Sequence, residues 1–360
     1  MIFCGDIASP TLKTTVGFSK SLYNNFEVFK GKKLICNLEG LISDDFYDNS
    51  NVPVLYNNPS IIKALHTGEP PLLCLANNHI LDIPDLFDNS INLFKQNNIL
   101  TAGAGRSPRE ASMPAIFYYR NLKIYLFNAC WDFLLYNHKN PEAGIYISVI
   151  DENSMIKSVK EIKTNEPDSK IVIYLHWNLD LEVLPFPMHR QFAKSLIDAG
   201  ANVVTGSHSH CVQGGEKYKN GYIVYGLGNF FLPHNHFING KLVYPEFSSL
   251  ELALEWSPLT NSAICHWFKY IVGGNSHGLE YLSSENFENS DTLAKLSPYR
   301  NTDDSTYLKF FRESRRKKIL VPVYRDYRNG KINSLFTRFL KIRARFARLM
   351  ARLNIINWQN

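Results

Sequence analysis

An α/β layer architecture is the fold class this sequence predicts, and three observations predict it. Short apolar runs alternate with helical runs from residue 1 to about residue 200. Many of the apolar runs stop abruptly at a carboxylate, an amide or an imidazole followed by a turn. Alternation with a period of two, the mark of a half-buried strand, is clear only later, in Leu250-Glu251-Leu252-Ala253-Leu254-Glu255-Trp256.

The elements follow in order. Met1 to Cys4 is a short strand delivering Gly5-Asp6, and Lys33 to Cys36 delivers Asn37-Leu38-Glu39-Gly40 in the same way. Pro59 to His66 reads as a short helix. Pro70 to Leu75 reads as a buried strand, with two prolines before it and Ala76-Asn77-Asn78-His79-Ile80-Leu81-Asp82 after it. Ile83 to Asn98 is a longer helix, since Leu86, Phe87, Ile91 and Phe94 fall at helical spacing. Thr101 to Gly105 is a small-residue turn.

Lys123 to Asn128 is the next strand, Asp132 to Gly144 a polar loop, and Ser154 to Thr164 a helix. Lys170 to Leu175 is the clearest strand and delivers His176-Trp177-Asn178. Pro185 to Ala199 is a helix that Gly200 stops. Asn202 to Thr205 runs into Gly206-Ser207-His208-Ser209-His210, and Tyr222 to Tyr225 into Gly226-Leu227-Gly228-Asn229-Phe230. Ile264 to Val272 pairs with the strand at 250–256, and Ser283 to Thr306 is polar and loop-like. From Ser334 to Leu353, Leu335, Phe339, Ile342, Phe346, Leu349 and Leu353 share one helical face, with Arg338, Lys341, Arg345, Arg348 and Arg352 on the others. The expected organisation is a domain over 1–275, a polar irregular connection over 276–330 and a basic amphipathic helix over 331–360.

Composition bounds the function class. The 360 residues are 45% hydrophobic and 20% charged, as in an ordinary globular protein. The opening residues read as a strand rather than a basic leader, and no apolar run is long enough to span a bilayer, so a cytoplasmic protein is expected. The six cysteines (Cys4, Cys36, Cys74, Cys130, Cys211, Cys265) are widely spaced in apolar runs, as expected of buried free thiols. The net charge of +6 hides an asymmetry. From Arg312 onward there are 14 Lys and Arg against Glu313 and Asp326, while the rest of the chain has 25 basic and 31 acidic residues. Such a tail can lie on an anionic membrane surface, dock on a partner or fold back on its own domain. It lacks the aromatic and basic interleaving of a single-strand binder, which argues against nucleic acid.

The chemistry-bearing residues recur at strand ends: Asp6, Glu39, Asn78 with His79, His176, His208 with His210, and Asn229. Carboxylate, amide and imidazole ligands contributed by separate segments suit a divalent cation, because the fold then sets their geometry. Two histidines separated by one residue can point an imidazole at each of two ions. Asn78 offers a neutral oxygen to a metal, His79 a proton to a leaving group, and Asp82 a hydrogen bond that orients His79. Turn-forming asparagines and solvated histidines explain each motif taken alone; the repetition at equivalent strand ends is what points to a site. Trp131, Tyr136, His138, Phe186, His189, His234 and His236 lie on loops or past strand ends, where they can line a groove.

Gly5-Asp6, Asn37-Leu38-Glu39-Gly40, Leu75 to Asp82, Gly103-Ala104-Gly105, His176-Trp177, Gly206 to His210 and Tyr225 to Phe230 together resemble the ordered motifs of the CapA family. These are capsule or poly-gamma-glutamate biosynthesis proteins related to calcineurin-like metallophosphoesterases. The resemblance covers roughly residues 1 to 232. It implies a four-layer α/β/β/α sandwich of the metallo-dependent phosphatase type, with one or two divalent ions (Mn²⁺, Fe²⁺, Zn²⁺ or Mg²⁺) at the strand ends. It assigns Asp6 and His210 to one metal, Asn78, His176 and His208 to the other, Glu39 to a bridging position and His79 to the leaving group. Two positions depart from the pattern. The wider superfamily has a His two residues after its first Asp, where this chain has Ala8; the family signature runs His-Trp-Gly and then Glu, where this chain runs His176-Trp177-Asn178-Leu179-Asp180-Leu181-Glu182.

The expected function is a bacterial metal-dependent hydrolase of phosphoesters or gamma-glutamyl bonds in surface-polymer synthesis, acting on an anionic polymer or phosphoester. The alternative is a non-catalytic capsule assembly factor on the same scaffold. In either case the basic tail is expected to reach the inner membrane face or a capsule synthase.

Overall fold

The structure, a computed structural model, describes residues 1–47, 53–135, 144–273, 276–317 and scattered positions between 331 and 350. Along the chain come β1 (Ile2–Ile7), α1 (Leu12–Asn24), α2 (Phe26–Phe29), β2 (Leu34–Leu38), β3 (Leu41–Ile42), β4 (Tyr56–Asn57), α3 (Ile61–Ala64), β5 (Leu72–Cys74) and α4 (Phe87–Gln96). Next are β6 (Leu100–Ala102), β7 (Ala104–Gly105), α5 (Pro108–Ser112), β8 (Ala115–Tyr119), β9 (Leu122–Cys130), β10 (Tyr146–Ile147), α6 (Glu152–Asn165), β11 (Lys170–His176) and α7 (Pro187–Ala199). The chain continues with β12 (Val203–Ser207), β13 (Gly215–Tyr218), β14 (Gly221–Val224), β15 (Leu250–Ser257), β16 (Ser262–Gly273), β17 (Ser276–Asn286), α8 (Asp291–Leu296) and α9 (Asp304–Ser314).

Two sheets carry the fold. The first has the order β17-β16-β15-β1-β2-β5-β6, and the second β13-β14-β12-β11-β9-β8. β1, β2, β5 and β6 are parallel, as are β9, β11, β12 and β14, while antiparallel strands finish the edges. The pleat sends successive side chains to opposite faces, which sorts each strand into two layers. Phe3, Ile35 and Leu72 of the first sheet meet Leu126, Val172, Tyr174 and Val203 of the second. Cys4, Cys36 and Leu73 face outward onto Phe18 and Leu22 of α1 and Phe94 of α4. Ile171, Ile173 and Leu175 face the other way, onto Phe192, Ala193 and Leu196 of α7. The layers are therefore α/β/β/α, held by three apolar interfaces. Burying one large apolar side chain there is worth roughly 1.5–3 kcal/mol. The Tyr174 hydroxyl donates to the Cys4 carbonyl (2.7 Å), a polar tie between the sheets.

Apart from β6, the parallel strands and the helices at 83–98, 154–164 and 185–199 fall where the sequence places them, to within a few residues at their ends. α7 does stop at Gly200, which takes φ 117° and is left-handed. Other readings need correction. The turn expected at Thr101 to Gly105 is split between β6 and β7, because its small residues are drawn into edge pairing by β5 and β10. β8 and β13, two hairpin partners, are unforeseen. The polar stretch 283–306 is not a loop: β17 runs through residue 286, and α8 and the start of α9 follow. Its polarity reflects a strand at the sheet edge, where Tyr281 and Leu282 are exposed and charged residues interleave. The first sheet thus extends past residue 275. The basic helix expected over 331–360 falls largely outside the described residues; at described positions there, Leu335, Phe339, Ile342, Phe346 and Leu349 are exposed. No helix among the described residues is long and apolar enough to cross a membrane. All six cysteines are free and buried.

A buried arginine is one of the ties that fasten the chain beyond residue 290, beside the Tyr299 hydroxyl on the Gln213 carbonyl and the Tyr307 hydroxyl on that of Pro185. Arg190 on α7 makes a two-pronged bond to Glu216 on β13 (2.8 and 3.0 Å) and donates to the carbonyls of Tyr299 and Thr302. Its guanidinium also lies 4.8 Å from the Tyr307 ring centroid on α9. Removing one partner of a buried pair strands the other charge. Arg190→Ala should cost about 3–5 kcal/mol in chemical denaturation, and Arg190→Lys should not restore it, since an ammonium lacks the planar fork.

Candidate metal centre

Parallel pairing puts the carboxyl ends of β1, β2 and β5 side by side, and those of β11 and β12 beside each other in the facing sheet. Asp6 lies in β1, just past a register irregularity at Gly5. A Cβ at Gly5 would stand 2.0 Å from the Gly228 carbonyl oxygen, so glycine is what lets the 226–231 loop cross β1 there. Backbone bonds from Asp6 N to Gly228 O and from Phe231 N to Asp6 O hold the crossing. Asp6 is fully buried. Its Oδ1 accepts from Asn37 Nδ2 (2.7 Å) and its Oδ2 from the His208 backbone N–H (3.0 Å). Asn77 Nδ2 in turn donates to Asn37 Oδ1 (3.1 Å) and to the Leu38 carbonyl (2.8 Å). This amide ladder fixes the Asp6 carboxylate across three neighbouring strands.

Glu39, immediately after β2, is fully buried, and neither of its carboxylate oxygens has a hydrogen-bond partner among the described residues. Ligand atoms of Asp6, Glu39 and His176 all lie within 4.8 Å of one another. His176 Nε2 is 3.6 Å from Glu39 Oε1 and 2.6 Å from Asn78 Oδ1, while its Nδ1 is 2.9 Å from Ser207 Oγ. The His176 and His208 ring centroids are 4.8 Å apart, and His208 Nδ1 is buried without a partner. His210 stands on the Asp6 side, its Nδ1 3.7 Å from Asp6 Oδ2 and 2.7 Å from Asn229 Oδ1. Asn229 is held by the buried Glu251, which accepts from its backbone N–H at 2.5 Å. His208 and His210 both take left-handed backbone conformations (φ 86° and 52°), strain that the surrounding bonds must hold in place.

The electrostatics of the cluster favour a cation. Burial, then the adjacent Asp6 charge, pushes the Glu39 carboxyl up to about 7, and burial raises Asp6 as well. Burial and the neighbouring imidazoles hold His176 and His208 well below the usual histidine range, leaving both neutral. Burial opposes charge on His210 too, but Asp180, Glu39 and Asp6 outweigh it and raise the group. The unpartnered Glu39 carboxylate and His208 Nδ1, beside the buried Asp6 and the neutral His176, are costly alone and suit a hard or borderline divalent ion. The donor set fits one.

His79 and Asp82 form a pair of their own, Nδ1 to Oδ2 at 2.7 Å, with Asp82 Oδ2 also accepting from the Leu55 N–H. Burial works against a charged His79. The Asp82 charge and hydrogen bond, with Glu39 and Asp6 beyond, prevail and lift it to about 9.

Every residue singled out for this site from the sequence therefore converges on one pocket: Asp6, Glu39, Asn78, His79, Asp82, His176, His208, His210 and Asn229. The groove candidates fare differently. Trp131, Phe186 and His189 are core residues: His189 stacks on Trp177 (4.9 Å) and bonds Asn178 Oδ1 through Nδ1 (2.7 Å). Apolar packing inside the layer claims them before any groove can. His234 and His236 are half-buried, and Tyr136 and His138 lie outside the described residues.

The two departures from the motif pattern have structural explanations. Ala8 is buried in an apolar cluster with Leu55, Tyr56, Leu232 and Phe237. Asn178, left-handed at φ 68°, donates to Gln213 and accepts from the Phe186 N–H and His189, so it organises the loop after β11. Glu182 turns away from the cluster to accept the backbone N–H groups of Arg316 and Lys317. Asp180 is the acid the sequence reading passed over: its Oδ1 is buried and unpartnered, and its charge is the largest raising His210. Its presence in the same run as His176 was the available signal.

The sequence profile of the bacterial capsule synthesis protein PGA_cap matches residues 1–233. The capsule biosynthesis protein CapA of Bacillus anthracis is 26% identical over 172 residues, 47% of this chain and 42% of that one. The PGA biosynthesis protein CapA of Bacillus subtilis strain 168 is 26% identical over 178 residues, 49% and 46% of the respective chains. The match thus spans less than half the length of either relative. A putative 5'-nucleotidase from Staphylococcus aureus aligns at a TM-score of 0.40 with 12% identity, over 85% of this chain and 58% of that one. A hypothetical protein from Thermus thermophilus aligns at 0.41 with 11% identity, over 79% and 98%. Likeness at this level carries no chemistry across.

Because Glu39 titrates near 7 in the folded metal-free chain, against 4.5 for an ordinary glutamate, its contribution to stability is full below about pH 4.5 and lost as pH rises to about 7. In chelator-treated protein, Glu39→Gln should remove that decline and be more stable than wild type at pH 7.5 by up to about 3 kcal/mol. Thermal unfolding followed across pH reads this; parallel curves for the two proteins would contradict it.

Proposed function

The chain belongs to the bacterial capsule synthesis protein family, and on that premise we propose that it is a metal-dependent hydrolase acting in the synthesis of a capsule or related surface polymer. Glu39 carries the reading: a buried carboxylate with both oxygens unpartnered, set between Asp6 and His176. Asp6, Asn78, His176, His208 and His210 join it as the holders of one or two divalent ions, drawn from Mn²⁺, Fe²⁺, Zn²⁺ and Mg²⁺. Asp6 with His210 makes one side, Asn78 with His176 and His208 the other, and Glu39 sits between. When bound, the cation supplies Lewis-acid polarisation of the scissile phosphoryl or carbonyl group and activation of water.

The protein's own groups do the rest. Asn37 and Asn77 hold the Asp6 carboxylate in a fixed orientation, so no reorganisation is needed when charge develops. His79 carries a proton at neutral pH and delivers it from its free ring nitrogen to the leaving oxygen or nitrogen. Asp82 holds the other nitrogen and keeps the ring charged until that transfer. Phosphoesters and gamma-glutamyl amides are the substrate classes this arrangement serves, both with an anionic group near the scissile bond.

A second reading, a non-catalytic assembly factor, draws on Ala8, since the apolar packing there removes a ligand position from the Asp6 side. In it, the basic C-terminal residues would contact a capsule synthase or the inner membrane face from the cytoplasm.

With Mn²⁺ and a panel of phosphoesters and gamma-glutamyl peptides, hydrolysis should be chelator-sensitive and fall at least about 100-fold in His208→Ala. Activity indifferent to both favours the assembly factor. In Asp82→Asn the alkaline limb of kcat/KM should move down by about one to two pH units, because His79 loses the charge that holds its proton and falls toward the ordinary 6.5. An unmoved limb would remove His79 from the acid role.

A further inference from the structure

Past residue 233, where the family match ends, one acid reaches back to the cluster. Glu251 lies in β15, beside the loop that crosses β1, and is 1% exposed. Its Oε2 accepts two successive backbone N–H groups, that of Asn229 at 2.5 Å and that of Phe230 at 3.3 Å. Neighbouring N–H groups turned onto one oxygen make a small anion-holding concavity, and here a side chain of the same protein fills it. The turn is shaped to admit it. Gly228 takes φ 87°, and a Cβ there would stand 2.0 Å from Glu251 Oε2; Phe230 is left-handed at φ 42°. Strained backbone of this kind persists only where its surroundings hold it. The Leu252 N–H donates to the Leu227 carbonyl at 3.0 Å and ties β15 to the same loop.

An acid in this place is costly. Glu251 Oε1 is buried without a hydrogen-bond partner among the described residues, so that oxygen loses water and gains nothing. Closing the loop does not by itself call for a carboxylate, because the bonds from Asp6 N to Gly228 O and from Phe231 N to Asp6 O already hold the crossing. What those bonds leave open is the residue between them, Asn229, whose backbone N–H goes to Glu251. The Asn229 side chain faces His210, with Oδ1 2.7 Å from Nδ1. An amide oxygen only accepts, so Nδ1 carries the hydrogen and Nε2 keeps the lone pair that a cation can use. The Asp6 carboxylate, at 3.7 Å from Nδ1, is beyond hydrogen-bond reach and does not make that choice.

We infer that Glu251 is a positioning residue for the metal centre: by fixing Asn229 it fixes which nitrogen His210 offers to the ion. The inference rests on the metal-dependent reading above and adds to it an anchor from outside residues 1–233, on a strand that runs antiparallel to β1. A metal-ligating imidazole ordinarily donates its other N–H to an oxygen that orients the ring. Asn229 supplies that oxygen, and Glu251 holds Asn229 in place from the side away from His210.

The test takes the full chain in two states. In chelator-treated protein, the nitrogen-15 spectrum of the neutral imidazoles should show His210 in its Nδ1–H form. Asn229→Leu, close in size but without the accepting oxygen, and Glu251→Met, which empties the concavity, should each bring in the Nε2–H form and weaken calorimetric Mn²⁺ binding about tenfold or more. Glu251→Gln keeps an accepting oxygen and should restore both readouts. The double variant Glu251→Met with Asn229→Leu should bind Mn²⁺ no more weakly than Asn229→Leu alone, since the two residues act in series. If Glu251→Met does not fold, Glu251→Asp, which draws the oxygens back from the N–H groups, takes its place and should show the same two changes. Variants that keep both the Nδ1–H form and the wild-type Mn²⁺ affinity overturn the inference, as do losses that add in the double variant. A wild-type chain that binds no Mn²⁺ overturns the metal reading, whereas wild-type His210 found in the Nε2–H form overturns this one, so the two failures are told apart.

Discussion

Two carboxylates forced together out of water, Asp6 and Glu39, are the constraint on which the rest of this molecule turns. Each sits at the end of a parallel strand whose neighbours are apolar, so neither can reach solvent. Each Asp6 oxygen accepts from an amide N–H, whereas neither Glu39 oxygen has a hydrogen-bond partner among the described residues. A fold that keeps such a pair carries an unfavourable burial of charge at one point, which a divalent ion would relieve on the proposed reading. The amide ladder through Asn37 and Asn77, the strained turns at His208 and His210 and the buried Glu251 behind Asn229 all serve to keep the pair where it is.

The loops show how the same end is reached with altered parts. With alanine at position 8, the turn after β1 packs on an apolar cluster, and the Asp6 side of the pocket depends more on His210. Asn178 stands where the family signature has glycine, and its amide ties the β11 loop to α7 and Gln213. Glu182 has exchanged the pocket for the C-terminal chain. The loop after β11 and the segment beyond α9 are therefore joined through Glu182.

Strand ends were legible in the sequence because each apolar run terminates at a residue with chemistry, and because the spacing of helix faces between them follows from periodicity. Those local signals place Asp6, Glu39, Asn78, His79, His176, His208, His210 and Asn229 at turns after strands. Edge strands were not legible. β8, β13 and β17 have mixed composition because one of their sides meets solvent, and pairing with a neighbour is what makes them strands. Asp180 was marked only by lying in the same run as His176, since little that is local singles out a side chain reaching the cluster from a loop.

The sequence by itself determined the layer type, the parallel core strands and the kinds of ligand at their ends, because these depend on the order of residues within a few positions. Tertiary structure alone decided which ligand faces which. It made Trp131, Phe186 and His189 core rather than groove, and turned Glu182 away from the cluster onto the backbone of Arg316 and Lys317, more than a hundred residues on. The physical reason is that burial and charge pairing are properties of the packed neighbourhood, and no residue carries its neighbourhood in its own stretch of chain.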